Sequence, residues 1–239
     1  VPTTTTHASG GYLFAGVAPG SARIAFTNLP AGAVSTPANQ GADDAVDSDA
    51  TAVATCNVTL TLTSGQTNMT VDAGIYYPLS LGNFVWNDAN NSGTFDLNES
   101  PITGVTVQLL NAAGTQMAQT TTSPTGNYLF TGLAPGIYSV RIPASNFAAG
   151  APLTGLVTST GNDPAPDPDN NLDNDDNGSV AGADVTSQQI TLASNDEPTT
   201  DGDGVNGNLT VDFGFTPPAN ASIGDRVWVD QNGNGVQDA

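Results

Sequence analysis

The sequence predicts an all-β chain of tandem β-sandwiches, on three observations: apolar residues alternate with period two in short runs, turn residues separate those runs, and long stretches recur within the chain. Phe84/Trp86, Val105/Val107/Leu109, Tyr128/Phe130, Tyr138/Val140/Ile142, Ile190/Leu192 and Val211/Phe213/Phe215 each place apolar groups on one face of a strand. No segment carries a convincing helical period. Gly132-Leu133-Ala134-Pro135-Gly136 predicts a turn, since proline presets φ and glycine accepts a left-handed corner. About seven such strands per repeat suit a sandwich with one inserted loop, Gly161 to Asp184.

The recurrences set the domain organisation. Ser80-Leu81-Gly82-Asn83-Phe84-Val85-Trp86-Asn87-Asp88 returns 142 residues later as Ser222-Ile223-Gly224-Asp225-Arg226-Val227-Trp228-Val229-Asp230. Gly10 to Gly20 returns at an offset of 116 as Gly126 to Gly136, and Val71-Asp72-Ala73-Gly74-Ile75 at 140 as Val211-Asp212-Phe213-Gly214-Phe215. Residues 1–78 therefore correspond to the back part of a repeat, 79–217 to a complete one, and 219–239 to the opening strand and loop of a further one. Tyr77-Pro78 and Pro217-Pro218-Ala219-Asn220 are the stiff joints.

Composition removes several classes of function. There are 23 acidic residues against 3 basic ones, a net charge of −20, one His and one Cys. The cations are Arg23, Arg141 and Arg226, and lysine is absent. Schiff-base and P-loop chemistry need a lysine, and nucleic-acid binding needs a basic face. Leu, Ile, Val and Phe make up about 21% of the chain, just above the level at which high charge usually means disorder. No run approaches the ~18 apolar residues of a membrane span, and the N-terminus has no basic region of a signal peptide. A single Cys56 forms no internal disulfide and reads as a small apolar group; His7 reads as a solvated side chain.

The acidity is concentrated in loops. Asp88 to Glu99 places oxygen side chains at loop positions 1, 3, 5, 9 and 12 (Asp88, Asn90, Ser92, Asp96, Glu99), a backbone carbonyl at Thr94 and Gly93 at the sharp turn. A hard cation such as Ca2+ takes six to eight oxygens, and this is the spacing that supplies them. The D-x-[DN]-x-[DNS]-G opening is expected about 0.1 times by chance in such a composition and occurs three times. The second copy is Asp230, Asn232, Asn234, Gly235 and Asp238. The third is Asp173, Asp175, Asn177 and Gly178, closed at position 12 by Asp184, a shorter carboxylate than the usual Glu.

Asp43-Asp44-Ala45-Val46-Asp47-Ser48-Asp49, Asp163 to Asp169, Asp196-Glu197 and Asp201-Gly202-Asp203 are further acidic clusters whose like charges repel unless a cation joins them. No carboxylate pair stands in a sequence context apolar enough to suggest a raised pKa for acid catalysis. Amphipathic helices do not flank the loops, so a structural clamp fits better than a groove-opening sensor.

The string Gly-x-x-Val-Trp-x-Asp-x-Asn-x-[Ser/Asn]-Gly, present from Gly82 to Gly93 and again from Gly224 to Gly235, followed by Gly104 to Leu109 and Gly126 to Tyr138, resembles the B-type repeat of serine-aspartate-repeat surface adhesins, the SdrD B-like domain. That family is related to the collagen-adhesin B-type, prealbumin-like β-sandwiches. The resemblance implies calcium-stabilised tandem modules in an extracellular, cell-surface stalk or filament without catalysis. It carries the calcium positions onto Asp88, Asn90, Ser92, Thr94, Asp96 and Glu99, and by repeat onto Asp230, Asn232, Asn234, Val236 through its carbonyl, and Asp238. Related modules lock themselves with a Lys–Asn isopeptide bond, which this lysine-free segment lacks.

The expected partners are neighbouring copies or repeats of the same protein. Residues 219–239 carry the opening strand that the 1–78 unit lacks, which raises head-to-tail strand addition; continuation of a longer array is the simpler account. An adhesin using the acidic insertion, and a spacer of a larger secreted protein, are the alternatives.

Overall fold

In the computed structural model, residues 1–50, 56–159, 168, 172–219, 228–229, 231 and 233–236 are described. The strands in chain order are β1 (Gly20–Phe26), β2 (Val34–Ser35), β3 (Cys56–Leu62), β4 (Ile75–Tyr76), β5 (Leu79–Asn87), β6 (Ser100–Pro101), β7 (Thr106–Asn111), β8 (Gln116–Thr121), β9 (Asn127–Leu133), β10 (Gly136–Ile142), β11 (Val157–Thr158), β12 (Ser179–Ala181), β13 (Asp184–Thr186), β14 (Ile190–Leu192), β15 (Gly207–Asn208) and β16 (Phe213–Thr216). One 3-10 turn, Ala144–Phe147, follows β10.

Residues 79–217 form a two-layer sandwich. One sheet runs β12-β13-β10-β7-β8, with β14 also on β10; the other runs β11-β16-β5-β15, with β6 and β9 on β5. Strand β5 is the hub because it is paired on both edges: antiparallel to β9 (Leu81↔Phe130, Asn83↔Tyr128) and parallel to β16 (Val85↔Phe213, Trp86↔Gly214). Period-two alternation turns Leu79, Leu81 and Val85 inward, where they meet Val107, Leu109, Tyr128, Phe130, Val140, Ile142, Ile190, Phe213 and Phe215 in one continuous core. Each large apolar side chain buried there contributes about 1.5–3 kcal/mol.

Tyr128 is anchored within that core, its hydroxyl donating to the Val211 carbonyl at 2.6 Å. Burial, reinforced by the nearby Asp212 carboxylate, holds this phenol well above its usual range, so it stays a donor. Gly126 is required twice over. Its φ is +78°, and a Cβ there would lie 2.6 Å from the Val85 carbonyl and 2.7 Å from the Phe84 ring.

Two strand pairings and one tyrosine hydrogen bond among the described residues of 1–78 parallel those of this sandwich. Strand β1 pairs with β3 (Gly20↔Leu62, Ala22↔Leu60) as β10 pairs with β14 (Gly136↔Leu192, Tyr138↔Ile190). Strand β2 pairs with β4 as β11 pairs with β16. Tyr12 donates to the Val71 carbonyl at 2.7 Å, matching the Tyr128 bond.

Two elements depart from the sequence expectation. Strand β8 was not anticipated because Gln116-Met117-Ala118-Gln119-Thr120-Thr121 is polar and lies mostly exposed at a sheet edge. The expected insertion Gly161 to Asp184 is not wholly a loop, since β12 and β13 form a short hairpin that extends the sheet from β10; residues 160–167 and 169–171 lie outside the described part.

Candidate metal centre

Asp88 follows β5 directly, so the loop leaves the most tightly held strand of the sandwich. The Asp88 amide donates to the Phe215 carbonyl at 2.9 Å, and the residue is fully buried. Its two carboxylate oxygens accept from the Ser92 amide at 3.0 Å and the Gly93 amide at 2.8 Å, with the Ser159 hydroxyl at 2.7 Å. Turning the chain back on Asp88 needs left-handed residues, and Asn91 (φ 56°) and Gly93 (φ 76°) supply them.

The remaining positions converge on one another. Asn90 donates to the Asp96 carboxylate at 2.8 Å and accepts from the Ser92 amide at 2.8 Å; the Ser92 hydroxyl is 3.1 Å from Asp96 and 3.0 Å from the Thr94 carbonyl. Glu99 closes the ring, one oxygen accepting from Ala89 at 2.8 Å and the other from Asp96 at 3.0 Å. Hydrogen bonds thus link Asp88, Asn90, Ser92, Thr94, Asp96 and Glu99 in one oxygen-rich loop, the ligand chemistry of a hard divalent cation, although its carboxylates Asp88, Asp96 and Glu99 do not all bring an oxygen within 4.8 Å of one another.

The segment around Asp173 packs against this loop. Thr94 and Asp175 form an antiparallel bridge, the Phe95 amide donating to Asn174 O at 2.8 Å and the Asp176 amide to Gly93 O at 2.9 Å. Asn177 is fastened to β16's approach: its amide donates to Asp212 O at 3.0 Å, and its side-chain oxygen accepts from the Asp212 amide at 2.8 Å. Asp212 accepts from the Asn174 amide at 2.8 Å through one oxygen, while its other oxygen is buried without a hydrogen-bond partner. Asp173 accepts from the Asn83 amide group at 2.8 Å.

These carboxylates are not in the solvated context that their Asp-rich sequence suggests. Burial raises Asp176 to about 7, with Asp88 adding to the shift, although the Gly178 amide at 2.9 Å and Gly214 amide at 3.2 Å oppose it. Burial, then Asp173 and Asp175, push Asp212 well above the usual range. A third group lies beside β15, where Asp203 is raised to about 6 by burial and by Asp201 and Glu197. The expectation that no carboxylate pair stands in a setting that raises a pKa is therefore corrected: burial by segments distant in sequence supplies that setting.

The structure also redistributes the third sequence loop. Asp173, Asp175 and Asn177 are brought together, but Asp184 lies in β13, where it accepts from Ala144 N at 2.8 Å and faces Arg141 at 3.7 Å. The acidic neighbours that join the group instead are Asp176 and Asp212. The Val-Asp pair recurring at Asp72 and Asp212 within apolar runs was the available signal for the latter.

The first unit holds the counterpart. Asp72 N donates to Asp49 at 2.8 Å and Asp49 N to Asp72 O at 3.0 Å, the pattern of Asn177 with Asp212. Carboxylate oxygens of Asp44, Asp47 and Asp49 lie within 4.8 Å of one another. Burial, then Asp49, Asp44 and Asp47, raise Asp72.

In the tail, Asp230, Asn232 and Asp238 lie outside the described residues. Val236 N donates to Asn234 at 2.7 Å, as Thr94 N donates to Ser92 at 3.2 Å. Gly233 (φ 69°) and Gly235 (φ 76°) reproduce the left-handed positions of Asn91 and Gly93. His7 pairs with Ser9 at the exposed N-terminal segment, and Cys56 opens β3.

The chain matches the family model of the SdrD B-like domain over residues 1–75 and 79–214. It is 34% identical over 241 aligned residues to serine-aspartate repeat-containing protein F of Staphylococcus epidermidis, covering 100% of this chain and 12% of that protein. It is 32% identical over 238 residues to serine-aspartate repeat-containing protein D of Staphylococcus aureus strain Newman, covering 98% and 15%. The minor pilin of Streptococcus agalactiae is similar at a TM-score of 0.32 and 11% identity, over 72% of this chain and 68% of that one.

Proposed function

The chain belongs to the SdrD B-like domain family, and from that premise we propose that it is a non-enzymatic, calcium-stiffened segment of an extracellular, cell-surface stalk or filament. The observation that supports the calcium assignment is the oxygen-rich loop from Asp88 to Glu99, folded back on itself through the Gly93 amide to Asp88 and the Asp96 amide to Glu99 and turned by left-handed Asn91 and Gly93. Calcium held by Asp88, Asn90, Ser92, Thr94, Asp96 and Glu99 supplies the positive charge that these groups lack. The set of half-buried Asp173 and buried Asp175, Asn177 and Asp212 is the second place where a cation would relieve repulsion, and Asp44, Asp47 and Asp49 are the corresponding place in the first unit.

The residues do the mechanical work around the ion. Phe95 of the loop packs on Phe84 (4.8 Å between centroids) and on buried Trp86 (6.2 Å), so loop closure is transmitted to β5. Extracellular modules bind calcium with Kd of roughly 10⁻⁴ to 10⁻³ M, which suits a clamp filled permanently outside the cell. Among the described residues no helix is long and apolar enough to cross a membrane. Neighbouring repeats or copies are the partners of such a stalk.

A chelator titration followed by thermal unfolding tests the reading. The melting temperature falls in excess EDTA and returns with calcium; an unchanged value removes the clamp.

A further inference from the structure

The two long sides of the 79–217 sandwich differ in charge. No Asp or Glu occurs between Glu99 and Asp163, and that stretch holds β7, β8, β9 and β10 with Arg141 as its only charged residue. Strand β8 ends one sheet, at the opposite edge from β12 and from β13 with its Asp184. In the other sheet β9 and β15 pair with the same part of β5, so they flank it on opposite edges, and the acidic Glu197, Asp201 and Asp203 group lies on the β15 side. The two neutral strands stand together: Thr120, Thr121, Ser123, Asn127 and Leu129 are among the residues lining one cleft of about 400 Å³. Copies of a chain with a net charge of −20 repel one another, and a side without carboxylates is where two approach at least electrostatic cost.

Strand β8 also turns backbone groups outward. The Thr122 amide donates to Val105 O at 2.9 Å. In an antiparallel strand both backbone groups of a residue point to one edge, and successive residues alternate. Thr120 and Ala118 therefore bond toward β7, while Thr121 and Gln119 direct N–H and C=O to the free edge, where no described strand pairs with them. The register shift falls between Leu109 and Leu110, which leaves Ala118 to Thr121 regular. Edge strands are commonly guarded by charge or proline, and Gln116 to Thr121 contains neither.

We propose that β8 of one copy pairs antiparallel with β8 of a second copy across a two-fold axis, joining neighbouring stalks side by side. A register centred on Thr120 uses both outward residues. Gln119 then faces Thr121 of the second copy and Thr121 faces its Gln119, each pair exchanging N–H and C=O groups. The two Thr120 side chains meet at the close, non-hydrogen-bonded position between them. One such contact is small, but a row of tandem units presents it repeatedly and the avidity grows with the number engaged. The pairing rests on the stalk reading for its partner and uses none of the calcium-loop residues.

Sedimentation equilibrium of the full 239-residue chain in calcium, up to millimolar concentration and at low and high salt, tests it. The expected result is a monomer–dimer equilibrium that tightens as salt screens the like charge, with amide exchange at Gln119 and Thr121 slowed in the dimer. Thr121→Glu abolishes the dimer without changing the melting of the dilute chain. Adding Gln119→Lys to that variant restores it, because opposite charges then face each other across both pairs. Val180→Ser, at the other edge of the sheet, leaves the dimer intact. A chain that stays monomeric at every concentration and salt overturns the pairing and leaves the edge to another occupant. So does a dimer that Thr121→Glu leaves unchanged, or one that Gln119→Lys fails to restore. Chelation separates this from the clamp: a dimer that persists while EDTA leaves the melting temperature unchanged retains the pairing and removes the clamp, and the reverse pair of results does the opposite.

Discussion

The Phe95 amide donates to the Asn174 carbonyl at 2.8 Å, which ties the Asp88–Glu99 loop to the acidic segment 79 residues further on. If the proposed cation fills one loop, this contact is expected to order the other. Asp88→Ala and Asp212→Ala are expected to be non-additive, the double mutant losing less calcium-dependent stability than the sum of the singles. The coupling is on the order of 0.5–3 kcal/mol, as for residues in one network, and a double-mutant cycle of urea unfolding in calcium measures it.

Glu99 bridges the two ends of its loop, accepting from Ala89 and Asp96. Glu99→Gln keeps the volume but removes the negative charge that closes the donor ring. Calorimetric titration is expected to show calcium affinity at this loop reduced at least about tenfold, with the enthalpy of the other sites less affected.

Asp212 gives a prediction of opposite signs. Without cation its carboxyl is buried and its pKa is raised, so Asp212→Asn removes a desolvation cost and raises the melting temperature in EDTA. In calcium the same change removes a ligand charge and lowers the melting temperature. Thermal scans in the two buffers read the inversion, and a shift of the same sign in both excludes the metal role.

The raised pKa of Asp176 also sets a pH dependence for the ion-free chain. Its folded value of about 7 lies above the ordinary 3.8, so its stabilising contribution is complete below the lower value and lost as pH rises through the higher. Urea unfolding in EDTA is expected to show stability falling between those limits, and Asp176→Asn flattens the slope. In calcium the trend reverses, because cation binding competes with protons.

Gly126 carries a purely steric prediction. Its positive φ and the 2.6 Å approach of a Cβ to Val85 O make Gly126→Ala destabilising by about 2–4 kcal/mol, read from the urea midpoint. Gly10→Ala costs only the smaller backbone term, because that space is open.

How much of this was legible in the sequence depends on the range of each interaction. Strands β5, β7, β9 and β10 were readable because a half-buried strand writes its own period-two pattern. Strands β8, β12 and β13 were not, since polar edge residues follow their neighbours' hydrogen bonds rather than their own hydrophobicity. The Asp88–Glu99 grouping was readable because every donor belongs to one turn of chain. Asp176 and Asp212 escaped, because what makes them unusual is burial by Thr158, Gly214 and Asn174, contacts that no local spacing encodes.

Strand β5 opens the repeat and β16 closes it, and the two lie side by side in parallel through Val85↔Phe213 to Asn87↔Phe215. Tension applied along a row of such repeats draws β5 toward its beginning and β16 toward its end. The hydrogen bonds between them are then loaded in shear, all at once, instead of being peeled one after another. Asp88 is fastened to Phe215 at the end of that seam, so the loop it opens is anchored where this shear-loaded pairing ends.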